Sequence, residues 1–294
     1  MGKQTSNPPP ETDLVESNFL HHTKEMSFTR DEIAFVMVDI WNTGFGPEPL
    51  SDLGWEAEWN VGKSFCDRAA GIGLNKILPM LEACRRHGIT VVHAPSADIA
   101  VKHGQWETLA DDADREATGG PPSTTGKPPK TQWPNPDWIA HWRMQHTYLL
   151  RTRRWVTDYY KHVRPNQDIP EPLQPVDGDL VVSSGDMLHR LMVERGIRIL
   201  FYCGFATNMC LIDKPGAIRD MYGRGYMPIV MRDATAGTEN AETVDGLWIT
   251  HAFVDQIEML WGYSILTGEF LDAVTSEGDI TVPCRYIRLH RPKE

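Results

Sequence analysis

Two residues of this chain combine a reactive side chain with a position suited to chemistry. Cys210 follows Gly204-Phe205-Ala206-Thr207-Asn208-Met209, which reads as a turn from an apolar strand into a helix. A cysteine in a first helical turn meets the positive end of the helix dipole, which favours thiolate. Unsatisfied N–H groups at the same helix start can hold an oxyanion. Asp39 closes the apolar run Ile33-Ala34-Phe35-Val36-Met37-Val38, where a carboxylate is costly to bury without a partner. It is either a general base beside a nucleophile or a turn residue ahead of Asn42-Thr43-Gly44. Cys66, Cys84, Cys203 and Cys284 carry no such context and read as small apolar core residues.

The elements around these residues follow one rhythm. Short apolar runs at 33–38, 89–93, 179–182, 197–203 and 227–231 have the look of strands buried on both faces. Between them, 74–87 and 188–195 have helical spacing and stop at Gly88 and Gly196; 208–222 and 239–260 are also expected to be helical. Helix–Gly–strand repeats imply right-handed crossovers and a parallel sheet with helices on both faces. A last strand is expected near 280–282. Ligands in such a sheet bind beyond the carboxyl ends of the strands, where Asp39, His93, Ser183, Ser184, Cys210 and Asp233 fall. Residues 1–30 are expected to be a flexible tail, 31–270 the domain, and 271–294 a C-terminal extension. An insertion over 95–178 is far longer than a crossover needs, and is expected to form a lid, a substrate wall or a surface decoration.

The chain has 294 residues and a formal net charge of −11, which argues against a nucleic-acid or anionic-membrane partner. Five cysteines without a CxxC pair suit a reduced, cytoplasmic setting. The polar, Pro-rich start is not a secretory signal, and no apolar run is long enough to span a membrane.

The segment Ala34-Phe35-Val36-Met37-Val38-Asp39-Ile40-Trp41-Asn42 resembles the opening strand and D-x-Q-N motif of the isochorismatase-like cysteine hydrolases. Gly204-Phe205-Ala206-Thr207-Asn208-Met209-Cys210 resembles their G-x-x-T-x-x-C nucleophile turn, and the following Gly225-Tyr226 and Val230-Met231-Arg232-Asp233-Ala234 match as well. The resemblance implies a three-layer α/β/α sandwich on a parallel sheet of about six strands. It implies hydrolysis of a C–N bond in a small amide or carbamoyl substrate, with Asp39 as base, Cys210 as nucleophile, no cofactor, and a homo-oligomeric assembly. It further places a cis peptide between Ala206 and Thr207, and an oxyanion on the amides of Thr207 and Cys210.

The family's lysine does not carry over: Ser183 and Ser184 stand where it belongs after the third strand. Either another cation replaces it, with Lys102, Lys161, Arg143 and His146 as candidates, or Cys210 works with Asp39 alone, or the chain binds without turnover. Ether hydrolysis with Asp39 as acid is a further alternative. Trp41, in place of the usual Gln, and Phe45 are expected to wall the substrate pocket, with His93, Arg143 and His146 as further contacts. The spacing of His93, Asp98 and His103 does not match the metal site of nicotinamidases, so no catalytic metal is expected.

Overall fold

The computed structural model describes residues 15–45, 62–119 and 164–289, together with Trp138, Trp142, Gln145 and His146. Eight strands form one sheet: β1 (Phe19–Phe28), β2 (Ile33–Val38), β3 (Thr90–Ala94), β4 (Leu180–Val181), β5 (Ile199–Phe205), β6 (Met227–Ala236), β7 (Tyr263–Ile265) and β8 (Ile280–Leu289). Their order is β1-β8-β7-β6-β5-β2-β3-β4. The six strands from β4 to β7 run parallel. β8 and β1 close one edge antiparallel.

Both additions differ from the sequence expectation. β1 lies inside the expected tail, but pairs with β8 over ten residues from Phe19↔Leu289 to Phe28↔Ile280. Most of its side chains are exposed, so it lacks the apolar run that marks the central strands. β7, only three residues long, falls inside no readable period. The expected extension 271–294 contributes β8 and so belongs to the sheet.

The helices are α1 (Gly62–Ile72), α2 (Leu78–Arg86), α3 (Ala97–Ala100), α4 (Gly104–Leu109), α5 (Asp112–Gly119), α6 (Gly185–Arg195), α7 (Cys210–Asp213), α8 (Ile218–Gly223), α9 (Trp248–Leu260) and α10 (Thr267–Thr275). Alternation along the strands splits the core in two. Ile33, Phe35 and Met37 of β2 pack on one face with Phe65, Leu81 and Phe270 of α1, α2 and α10. Ala34, Val36 and Val38 face the other way, toward Trp106, Leu188, Leu211, Met221 and Ile257 of α4, α6, α7, α8 and α9. The layers are thus helix, sheet, helix, as expected.

The expected helix over 208–222 is two helices. Pro215 biases Lys214 away from helical backbone, and Lys214 sits at φ −68°, ψ 149°. Gly216 then turns at φ 82°. The expected helix over 239–260 starts only at Trp248, because the Glu239 carboxylate accepts the N–H groups of Ile249 and Thr250 at 3.0 and 2.8 Å.

Candidate active site

Asp39 and Cys210 meet because β2 and β5 are neighbours in register, with Val38 opposite Gly204. Gly204 has φ 117°, and any Cβ there would collide with the Val38 carbonyl. Only glycine lets the strands approach closely at the point where both give way to the site. Asp39 itself has φ 43°, a left-handed turn that Asp tolerates better than most residues. Its N–H donates to Ala94 O of β3 at 3.3 Å, and its side chain is buried.

Lys214 supplies the cation. Its Nζ donates to Asp39 Oδ1 at 2.7 Å and to Ala94 O at 2.7 Å. The turn behind it is fixed from two sides: the Tyr202 hydroxyl donates to Gly216 O at 2.9 Å, and Gly216 N–H donates to Asp220 Oδ2 at 2.7 Å. Lys214 is not among the expected donors, although the sequence carries a signal for it. It stands four residues after Cys210, one helical turn away and on the same side. The third-strand position where the family's lysine belongs holds Ser183, which accepts the Trp106 indole N–H at 3.0 Å. Ser184 caps α6 by accepting the Met187 N–H.

Lys102 does not reach the site, because Pro165 O and Gln167 O take its ammonium at 3.2 and 2.6 Å. His146 is exposed, bonds through Nδ1 to Trp142 O at 2.8 Å and stacks on the Trp142 ring. Among the described contacts, none joins it to Asp39 or Cys210. Arg143 and Lys161 lie outside the described residues.

Cys210 begins α7 and is half-buried. Burial pushes its thiol up to about 12, reinforced by the Asp39 charge and a hydrogen bond to Asp39; Lys214 and the cysteine's own amide pull the other way. The expected helix-dipole activation therefore does not dominate. α7 has only four residues, and a buried carboxylate stands against the sulfur. Burial and the Asp39 carboxylate thus favour the protonated thiol over a standing thiolate.

The cis peptide joins Phe205 and Ala206, one residue earlier than expected. The Thr207 N–H, an expected oxyanion donor, donates to Ala236 O at 3.0 Å. The Ala206 carbonyl accepts Met209 and Leu211 N–H at 3.0 and 3.2 Å. Among the described residues no backbone carbonyl accepts the Cys210 N–H, which lies against the cysteine's own sulfur. The turn is tied to the loop after β6 by Asn208, whose amide donates to Thr238 Oγ1 at 2.7 Å and accepts the Thr238 N–H at 3.0 Å. Thr207 and Thr235 hydroxyls bond at 2.7 Å.

His93 is buried and bonded within the protein. Its Nε2 is 3.0 Å from Asp179 Oδ2, a carboxylate also held by Arg85 at 2.5 Å. Burial lowers its basicity more than Asp179 raises it. His103 likewise faces Asp168 at 2.9 Å. Trp41 and Phe45 lie half-buried against the core, and the Phe45 ring occupies the space beside Gly73. Asn42 accepts the Asp168 N–H and donates to Asn166 O, drawing residues 166–168 against the Asp39 loop.

No protein-family model matches the chain. It is similar to a ureidoacrylate amidohydrolase, RutB, of Azorhizobium caulinodans, 25% identical over 257 residues that cover 83% of this chain and 91% of that protein. Similar solved structures include a cysteine hydrolase from Pseudomonas syringae pv. phaseolicola 1448A (TM-score 0.48, 16% identity, 84% of this chain and 94% of that one). Another is an isochorismatase from Pseudomonas putida KT2440 (TM-score 0.43, 15% identity, 82% and 91%).

Proposed function

We propose that this chain, which resembles the isochorismatase-like cysteine hydrolases in its Asp39 and Cys210 motifs, cleaves a C–N bond of a small amide or carbamoyl compound through a thioester on Cys210. The observation that carries this reading is the convergence of Lys214, Asp39 and Cys210, with the ammonium at 2.7 Å from the carboxylate and the carboxylate charge acting on the thiol.

In the proposed cycle, Asp39 takes the Cys210 proton as the sulfur attacks the substrate carbonyl carbon. Charge develops on the carbonyl oxygen, and the Cys210 N–H lies where it can donate to it. The proton held by Asp39 passes to the leaving nitrogen, the C–N bond breaks, and ammonia or an amine departs. Water then gives a proton to Asp39, its oxygen adds to the thioester carbon, and the C–S bond breaks. The proton returns to sulfur with the acid product. Lys214 keeps the carboxylate oriented and offsets its charge throughout. General acid–base help of this kind contributes about 10²–10⁴-fold.

The absent third-strand lysine is the main support for a non-catalytic reading, and Lys214 removes that support. A carboxylate held by an ammonium is arranged as a proton acceptor, which disfavours ether hydrolysis with Asp39 as acid. The similarity to a ureidoacrylate amidohydrolase directs the substrate search to ureido acids and related carboxamides. The test is ammonia release from such a panel by the wild-type chain and by Cys210→Ala. The proposal expects release only from the wild type; equal rates from both overturn it.

A further inference from the structure

A second cluster of functional side chains lies away from Cys210. It uses β1, the edge strand with mostly exposed side chains, and the later turns of α9. Asp255 and Glu258 stand three residues apart on α9 and so share a face. His21 reaches them from β1: its Nε2 is 2.9 Å from Asp255 Oδ1 and 3.4 Å from Glu258 Oε2. The three groups offer one nitrogen and two carboxylate oxygens within 4.8 Å of one another.

Glu258 makes this more than a surface ion pair. Its side chain is 0% exposed. Its Oε1 is fully engaged: Arg285 Nε donates to it at 2.8 Å, and the Ser264 hydroxyl donates as well. Ser264 is in turn held by Arg232. These bonds fix the carboxylate plane and leave Oε2 facing His21, buried and without a hydrogen-bond partner. One imidazole N–H, already pointed at Asp255, cannot also satisfy it. Burying a carboxylate oxygen without a donor is costly, and a bound metal ion is one group that meets this need.

The spacing suits one. Ligand atoms about 2.0–2.1 Å from a tetrahedral zinc lie roughly 3.3 Å apart, close to the separations of His21 from both oxygens. One imidazole with two carboxylates is a donor set for a divalent transition ion. The oriented carboxylate supplies the outer-shell support such sites need. Two carboxylates against Arg285 leave the cluster one negative charge, which favours a cation there.

We infer that His21, Asp255 and Glu258 form a structural site for a divalent transition-metal ion of the zinc type, with water completing the shell, which fastens the edge strand β1 to α9. The site is remote from the proposed chemistry, since it bonds through Ser264 to β7 while the start of α9 meets Gly237 at the catalytic edge.

The test is calorimetric titration of Zn²⁺ into metal-stripped Cys210→Ala protein, whose active-site thiol no longer competes for zinc. The same titration is run on this protein with His21→Gln or Asp255→Asn added. Both added positions are partly exposed, so folding is expected to survive, and circular dichroism checks it. The expected result is one equivalent bound, a thermal midpoint raised by zinc, and both effects lost in each added variant. No binding, or binding that either added variant leaves unchanged, overturns the assignment.

Discussion

Replacing Lys214 with alanine removes the only ammonium bonded to Asp39 among the described residues. Two unit charges at 2.7 Å attract by roughly 6 kcal/mol at an effective dielectric of 20, before the cost of desolvating them. The measurable loss is smaller, because both charges regain water on unfolding. Asp39 and Lys214 side chains are only 3% and 14% exposed, so the pair behaves as a buried one. Removing one partner of a buried pair costs about 3–5 kcal/mol, chiefly through the charge left behind. Ala94 O loses its donor as well, which adds to the loss. Lys214→Ala is therefore expected to be destabilised by about 3–5 kcal/mol in urea unfolding, and to lose about 10²–10⁴-fold in kcat/KM as Asp39 loses its orientation. Lys214→Ala combined with Asp39→Asn removes both charges and is expected to recover most of the stability but none of the activity. A Lys214→Ala protein within about 0.5 kcal/mol of wild type, the range of ordinary surface substitutions, and with unchanged turnover, would mean that Lys214 neither braces Asp39 nor serves the site.

Three further outcomes follow from the same geometry. Burial and Asp39 hold the Cys210 thiol up to about 12, so alkylation by iodoacetamide is expected to quicken about tenfold per pH unit through pH 9–10; a curve half-maximal near pH 8.5 and level by pH 10, as for an ordinary exposed cysteine, contradicts this. His93 is kept neutral by burial, so folding must lose stability as the pH falls below about 6.5, the point where the unfolded imidazole takes a proton. His93→Gln is expected to flatten that acid-side loss in thermal melts while leaving kcat within a few-fold, and a collapse of kcat in a folded variant returns His93 to the substrate site. Asn208→Ala cuts both ties to Thr238 and is expected to lower kcat/KM more than it lowers stability, read by turnover beside urea unfolding; the reverse pattern gives Asn208 a purely structural role.

The central parallel strands are legible because each is an unbroken apolar run. Asp39 and Cys210 follow the carboxyl ends of two such runs, and this alone brings them to one edge of the sheet. Lys214 is harder to read because the family's lysine belongs after the third strand, where Ser183 receives Trp106 instead. What brings Lys214 to Asp39 is a helix stopped after one turn by Pro215, a residue whose effect on its neighbour is local and readable. β1 escapes because an edge strand with mostly exposed side chains carries no period against solvent. The Thr207 N–H, expected at the oxyanion, meets Ala236 in a long-range bond, a partner that spacing does not reveal. His93 does stand at a strand end, but its buried partner Asp179 lies 86 residues away.

Cys210 is expected to become covalently acylated during turnover. The most direct measurement is mass spectrometry of protein quenched in acid while it hydrolyses a substrate from the ureido-acid panel. The expected result is an acyl adduct on the peptide containing Cys210, absent from Cys210→Ala, which also releases no ammonia. Undiminished ammonia release from Cys210→Ala, or wild-type turnover with an adduct on another cysteine, would contradict it.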